Sequence, residues 1–120
     1  MTEITNKTYN LEIRTLEFAK MAIRLCHKLP KTTVTIELIK QLTSSATSVG
    51  ANYREANEAL GKKDFSHRMR ITRKETKETT YWLELTLESN PGFANEIQPL
   101  LQESKELRNI FTSIINKTQS

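Results

Sequence analysis

Apolar residues recur along this chain every three to four positions, which is the spacing of an amphipathic α-helix. Glycine and proline interrupt the pattern at Pro30, at Gly61 and at the Pro91-Gly92 pair. No segment alternates apolar and polar residues, so no strand is predicted. The pattern predicts four helices, at residues 9–29, 34–60, 62–89 and 95–117. Their short connections favour an all-α, antiparallel up-down four-helix bundle, which we expect to be a single domain over residues 1–120.

A few small residues predict where these helices begin and how closely they approach. Thr33 or Thr35 can cap the second helix, and Gly61 can cap the third. Because proline is tolerated only in the first turn of a helix, Pro99 predicts that the fourth helix begins near Asn95 to Gln98. Gly50 lies inside the second helix, where its missing side chain would let a neighbouring helix approach closely.

Each predicted helix carries an apolar face, and these four faces together predict the core. The face of the second helix extends as far as Leu60. On the third helix, Thr72, Thr76 and Thr79 occupy the middle of the core-facing line. A threonine hydroxyl can donate to a carbonyl of its own helix, so these residues need no partner elsewhere.

The apolar stripe of the first helix is broader than a four-helix bundle requires, and the third helix carries a second face that is partly apolar and partly polar. An additional contact, such as one with another subunit, would cover this surplus. The alternative is a deeply buried first helix in an irregular monomer. The candidate interface residues are Ile13, Leu16 and Ile23 of the first helix, and Ile71, Trp82 and Leu85 of the third.

A group of polar residues surrounds the Trp82 face, and we predict that it forms a network. Its members are Asn52, Arg54, Glu55, Glu75 and Glu78. Arg54 is a candidate ion-pair partner for Glu78. Glutamates beside a tryptophan are typical of a partly polar subunit interface. Ordinary salt bridges between helices are the preferred explanation of the same residues.

The strongest charge feature is a row of cations on the third helix. Arg70, Arg73, Lys74 and Lys77 follow the spacing i, i+3, i+4 and i+7, and Lys62 and Lys63 extend the row toward the preceding turn. Such a row could follow the phosphate backbone of RNA or DNA with salt-dependent affinity. The simpler alternative is a solvated helix face, since no aromatic residue is interleaved among the cations for base stacking.

Composition and charge narrow the function classes only slightly. A formal net charge of +4 and a pI near 9.3 permit an anionic partner without requiring one. The single cysteine, Cys26, excludes an internal disulfide and fits a reducing cytoplasm. No apolar run approaches the ~20 residues of a membrane span, and the first residues lack an apolar signal core. We therefore expect a cytoplasmic protein without a membrane partner.

The sequence contains no recognisable catalytic or metal-binding constellation. His27 and His67 lie on different predicted helices, and the segment Asp64-Phe-Ser-His67 occurs only once, whereas di-iron bundles need such pairs on two helices. Cys26 precedes His27 directly, and adjacent helical residues point about 100° apart, too far to pair as nucleophile and base. We expect no metal, no cofactor and no enzymatic activity.

Several blocks of the sequence, spread from about Tyr9 to Ile115, resemble one family of small bacterial four-helix bundles. The blocks are Phe18-Ala-Lys, Leu29-Pro-Lys-Thr, Gln41-Leu, Ser45-Ala-Thr-Ser-Val-Gly-Ala-Asn-Tyr-Arg-Glu-Ala, Lys63-Asp-Phe, Lys74-Glu-Thr-Lys-Glu-Thr and Tyr81-Trp-Leu-Glu-Leu. The family includes proteins encoded within intervening sequences of large-subunit ribosomal RNA genes. Many relatives carry Ser before the Lys-Lys-Asp-Phe block, where this chain has Gly61 and hence a weaker helix cap.

The resemblance implies a homopentamer in which no catalytic residue is established. A related branch comprises accessory proteins of diversity-generating retroelements, whose basic pentamers bind a reverse transcriptase and nucleic acid. Asn52, Glu55, Glu75, Glu78 and Trp82 match motif positions of the family, and the resemblance implies structural or interface roles for them.

Two functions follow as hypotheses. The first is an oligomeric scaffold that binds another protein, such as a reverse transcriptase, and the second is an RNA- or DNA-binding ring that uses the cationic row.

Overall fold

The computed structural model describes residues 10–119, which form four long α-helices. Helix α1 spans Leu11–Lys28, α2 spans Thr33–Asn57, α3 spans Lys62–Ser89 and α4 spans Ala94–Gln119. A short 3₁₀ helix, Pro91–Phe93, connects α3 to α4. Residues 10–119 contain no strand, and none of their helices combines the length and apolarity needed to cross a membrane. The predicted start of the first helix, Tyr9, lies outside the described residues.

Two hydrogen bonds between α2 and α3 show that these helices run in opposite directions. Near the start of α2, Thr35 accepts from Asn90 at the end of α3, with 3.3 Å between Oγ1 and Nδ2. Near the middle of α2, the hydroxyl oxygens of Ser45 and Thr79 lie 2.9 Å apart, within hydrogen-bond distance. Helix α1 packs on α2, α4 packs on α3, and a smaller contact between α1 and α4 closes the bundle. The predicted antiparallel up-down four-helix bundle is confirmed.

The core is one continuous cluster of apolar side chains from all four helices. Tyr53 of α2 stacks on Phe111 of α4 with 6.0 Å between ring centroids. Phe18 of α1, Leu42 of α2 and Met69 of α3 are among the largest fully buried side chains. Burying such side chains stabilises the fold by about 1.5–3 kcal/mol each, which makes this cluster the main source of stability.

The threonines of α3 satisfy their hydroxyls within their own helix, as predicted. Thr72, Thr76 and Thr79 are fully buried. Their hydroxyls donate to the carbonyls of Arg68, Thr72 and Glu75 at 2.9, 2.8 and 2.8 Å. Among the described residues, no buried side-chain nitrogen or oxygen lacks a hydrogen-bond partner. The polar residues therefore enter the core without the cost of an unpaired buried group.

Two details of α2 differ from the prediction. The helix ends at Asn57 because the next two amides bond three residues back, which tightens the last turn. Leu60 consequently lies outside the helix and is 98% exposed, so its predicted place in the core is wrong. At the other end, the cap is Thr32, which accepts from the backbone amide of Thr35 at 3.2 Å, rather than Thr33 or Thr35.

Pro99 lies in the second turn of α4, whereas the sequence placed it in the first. The 3₁₀ helix continues directly into α4, so Ala94 is the first residue of α4 and Pro99 is inside it. The missing N–H deprives the carbonyl of Asn95 of its helical donor. Asn95 is exposed, so water can supply the missing hydrogen bond.

Candidate nucleic-acid interface

The cationic row predicted on the third helix lies on the outer surface of α3. Arg70, Lys74 and Lys77 are exposed, and Arg73, at the edge of the row, is partly buried. Their spacing of three and four residues places them on one side of the helix, because 3.6 residues complete a turn. Lys62 and Lys63 are also exposed, in the first turn of α3. The six predicted cations therefore form one surface along the helix.

Only part of this charge is offset by neighbouring carboxylates. Lys74 lies 3.7 Å from Glu78 and 3.9 Å from Glu75, and these exposed pairs contribute about 0–1 kcal/mol each. Arg73 donates to the hydroxyl of Thr112 on α4 at 3.4 Å. Within residues 10–119, no carboxylate lies within ion-pair distance of Arg70 or Lys77. Among the four central cations of the row, these two side chains are the best placed to meet an external anion.

An open groove of about 590 Å³ runs beside the row and contains aromatic side chains. Tyr81 and Trp82 line it together with the four central cations, Glu78 and Gln41 of α2. Tyr81 is 56% exposed. No aromatic residue is interleaved within the row, as the sequence indicated, but Tyr81 and Trp82 lie beside its far end. The signal was the spacing: Tyr81 follows Lys74 by seven residues and Lys77 by four.

A second concavity, of about 530 Å³, adjoins the first toward the start of α3. Lys62, Lys63, His67 and Arg70 line it, together with Ser66 and Thr118. Arg70 lines both concavities, so they form one basic surface. From Lys62 to Trp82 this surface follows about 30 Å of helix. An extended polyanion could therefore contact several cations at once.

The predicted interface residues differ in their exposure. On α1, Ile13, Leu16 and Ile23 are 55%, 41% and 38% exposed, as expected of residues available to a partner. On α3, Ile71, Trp82 and Leu85 are partly buried. Trp82 packs against the core, which accounts for part of its burial within the single chain.

The predicted ion pair between Arg54 and Glu78 does not form. Arg54 instead lies 3.7 Å from the Glu12 carboxylate and also donates to the Glu12 backbone carbonyl at 3.4 Å. The helix register explains the difference, because Ser45 of α2 is the residue that meets Thr79. Arg54 lies nine residues further along α2, about 13 Å away.

The remaining members of the predicted polar network form no single cluster. Asn52 donates to the carbonyl of Ser48 in its own helix at 2.9 Å, and Glu55 is exposed. Glu75 is partly buried, and this burial raises the pKa of its carboxyl group. Repulsion from Glu78 adds to the rise, while Lys74 opposes it.

Of the residues with catalytic or ligating chemistry, Cys26 and His27 are neighbours on α1, whereas His67 lies on α3. Burial raises the pKa of the Cys26 thiol, which disfavours the reactive thiolate. The Cys26 sulfur accepts from Thr43 at 3.6 Å. Across residues 10–119, no group of three or more His, Cys, Asp or Glu side chains is arranged to hold a metal.

Comparison with known proteins gives one family. The family model for the 23S rRNA-intervening sequence protein matches residues 8–113. A solved structure of similar fold is that of a protein with unknown function from the S23 ribosomal protein family of Bacteroides thetaiotaomicron. It is 31% identical, with a TM-score of 0.76, and the match covers 87% of this chain and 96% of that one. A search of curated proteins gave no match. This chain belongs to the family of 23S rRNA intervening sequence proteins.

Proposed function

We propose that this protein is a non-enzymatic RNA-binding protein that contacts RNA through the basic surface of α3. The observation that carries the proposal is the position of Arg70 and Lys77, which are exposed, lack an ion-pair partner among the described residues, and flank Lys74 in one row. Cations that neutralise phosphates release bound counterions, and this release supplies most of the affinity for a polyanion.

The aromatic residues of the groove support this proposal over a purely solvated helix face. The sequence favoured a protein scaffold first, because a cationic row without aromatic residues is a weak sign of nucleic-acid binding. Because Tyr81 and Trp82 lie beside the cations, RNA binding becomes the first candidate function and the protein scaffold the second. RNA is preferred to DNA as the ligand because the family takes its description from an element of 23S rRNA.

The experiment measures RNA affinity by fluorescence anisotropy between about 50 and about 200 mM salt. The double variant Arg70→Gln/Lys77→Gln should bind more weakly, and its plot of log affinity against log salt should be shallower by about 1.4, or about 0.7 per lost phosphate contact on a single strand. The matched control is Lys28→Gln/Lys105→Gln, which removes two exposed lysines from α1 and α4 and leaves α3 unchanged. Equal losses in the two double variants would show that the α3 surface is not the RNA site.

A second candidate function is an oligomeric scaffold, such as a pentamer, for another protein. The exposed apolar row Ile13, Leu16 and Ile23 on α1 favours it, since such side chains gain most by being covered. Light scattering of the purified protein tests self-association, with Ile13→Glu as the variant expected to lower the particle mass. Co-purification with a reverse transcriptase encoded beside the gene, if one is present, tests for a protein partner. An unchanged mass for Ile13→Glu would place any subunit interface elsewhere.

The proposed location is the cytoplasm, where ribosomal RNA is found. The buried, reduced Cys26 is compatible with that compartment.

A further inference from the structure

We propose that the α3 surface selects single-stranded RNA over duplex RNA by stacking an unpaired base on Tyr81. This inference rests on the proposed RNA-binding function and adds the class of RNA that the surface prefers. Every base has a flat face that can stack on an aromatic ring, so the preference concerns strandedness and not sequence.

Tyr81 continues the cationic row at the same helical spacing. It lies one turn beyond Lys77 and two turns beyond Lys74, about 6 and about 10 Å along the axis. A strand whose phosphates contact Lys74 and Lys77 therefore passes beside the ring of Tyr81. Glu78 lines the same groove. Its carboxylate would repel a phosphate at that point, which favours placing a base there.

The ring of Tyr81 is accessible and is held by its neighbour. Tyr81 is 56% exposed and takes no part in the core cluster. Trp82 contacts it edge to face, with 4.9 Å between ring centroids and 73° between ring planes. Trp82 itself packs against the core. Because one ring is anchored, the other loses less conformational freedom when a base stacks on it.

The cations and the tyrosine act on different parts of the nucleic acid. Lysine and arginine contact phosphates, which both single strands and duplexes present. In a duplex the base faces are already covered by neighbouring bases, and exposing one costs a few kcal/mol. Tyr81 can therefore contribute only to the binding of an unpaired strand.

The test compares the wild-type protein with Tyr81→Ala and Tyr81→Phe on two probes at one salt concentration. One probe is a short RNA strand that cannot pair with itself, and the other is the same strand annealed to its complement. Tyr81→Ala should bind the single strand about tenfold more weakly, near the lower end of the range for stacking on one base, and bind the duplex as the wild type does. Tyr81→Phe keeps the ring and should retain the wild-type affinity for both probes.

Trp82 provides a second readout, because it is the only tryptophan in the chain and contacts Tyr81. A base stacked on Tyr81 should change Trp82 fluorescence on addition of the single strand, and the duplex should change it much less. Both variants should keep the wild-type helical signal in circular dichroism, since Tyr81 lies outside the core.

Other outcomes would contradict either the stacking proposal or the proposed RNA-binding function, and the two cases can be distinguished. If Tyr81→Ala weakens both probes equally, or neither, the stacking proposal is overturned while RNA binding through the cations stands. If the wild type binds neither probe, or Arg70→Gln/Lys77→Gln binds as well as its control, the proposed function fails and the stacking proposal fails with it.

Discussion

Gly50 of α2 lies directly against Thr15 of α1, so closely that a methyl group would not fit without movement. A Cβ atom on Gly50 would lie 3.0 Å from the Thr15 hydroxyl oxygen and 3.3 Å from the Thr15 Cβ. Thr15 is fully buried, and its hydroxyl donates to the carbonyl of Leu11 at 2.7 Å. The missing side chain thus allows α1 and α2 to approach closely, as the sequence predicted.

Gly50→Ala should destabilise the protein by about 1 kcal/mol. Alanine gains up to about 1 kcal/mol in helix propensity, but overpacking a buried contact costs about 1–3 kcal/mol. Because Thr15 is held by its own hydrogen bond, it cannot move aside freely. Urea unfolding measures the difference. Gly92→Ala is the control, since no atom lies within 4 Å of the added methyl group.

The loss of stability caused by Gly50→Ala should depend on Thr15, because the added methyl group would contact that side chain. In a Thr15→Ala background, the cost of Gly50→Ala should be smaller, because the Thr15 hydroxyl has gone. Equal costs in the two backgrounds would show that the destabilisation arises elsewhere in α2.

Gly61→Ser should stabilise the protein by a few tenths of a kcal/mol. Gly61 caps α3 without a side-chain hydrogen bond, and no atom lies within 4 Å of an added Cβ. A serine hydroxyl can accept from a free amide in the first turn of α3. Gly61→Ala is the matched variant, because it adds the methyl group without the hydroxyl. The free energy of unfolding of Gly61→Ser should exceed that of Gly61→Ala by about 1 kcal/mol in thermal or urea unfolding. Equal free energies of unfolding would exclude a capping hydrogen bond.

Arg14→Met should destabilise the bundle by about 1 kcal/mol. Arg14 of α1 donates to both oxygens of Glu103 on α4, at 2.7 and 2.9 Å, and to Glu106 at 2.9 Å. The hydrogen bond to Glu103 contributes most to raising the pKa of the Arg14 guanidinium. This ion pair joins α1 to α4, two helices whose mutual contact is smaller than that of the other neighbouring helices.

The control for Arg14→Met is Lys40→Met, which removes an exposed cation paired with Glu37 at 3.5 Å in the same helix. It should change the free energy of unfolding by less than about 0.5 kcal/mol. A loss as large as that of Arg14→Met would mean that the two variants report net charge rather than the contact between α1 and α4.

Glu75→Gln should stabilise the protein at neutral pH. The folded-state pKa of Glu75 is raised, chiefly by burial, so its ionised form opposes folding. That penalty is absent below the unfolded value of about 4.3, develops as the pH rises through the folded pKa, and is complete above it. Glutamine removes the penalty and should flatten the corresponding pH dependence of unfolding.

Urea unfolding of the wild type and Glu75→Gln from acid to neutral pH tests this sign. Glu37→Gln, at an exposed position of α2, is the control and should change the stability little. A Glu75→Gln variant that is less stable at neutral pH would show that the contact of Glu75 with Lys74, at 3.9 Å, outweighs burial.

The four helices and most of the core could be predicted from the amino-acid sequence alone, because both depend on local periodicity. The threonines of α3 and the close approach at Gly50 were predictable for the same reason. Each depends on a residue's size or on hydrogen bonds within one turn. Family membership also followed from the sequence, since the matching blocks are contiguous.

Contacts between side chains of different helices could not be predicted in this way and are visible only in the folded chain. Arg54 pairs with Glu12 rather than Glu78 because the register of α2 against α3 depends on the packed core and the connections, and neither is visible in one helix. The contact of Arg14 with α4 joins residues 89 positions apart for the same reason. The spacing along α3 already places Tyr81 on the face of the cations, but the groove beside them also needs Gln41 of α2 as a wall, which only packing supplies.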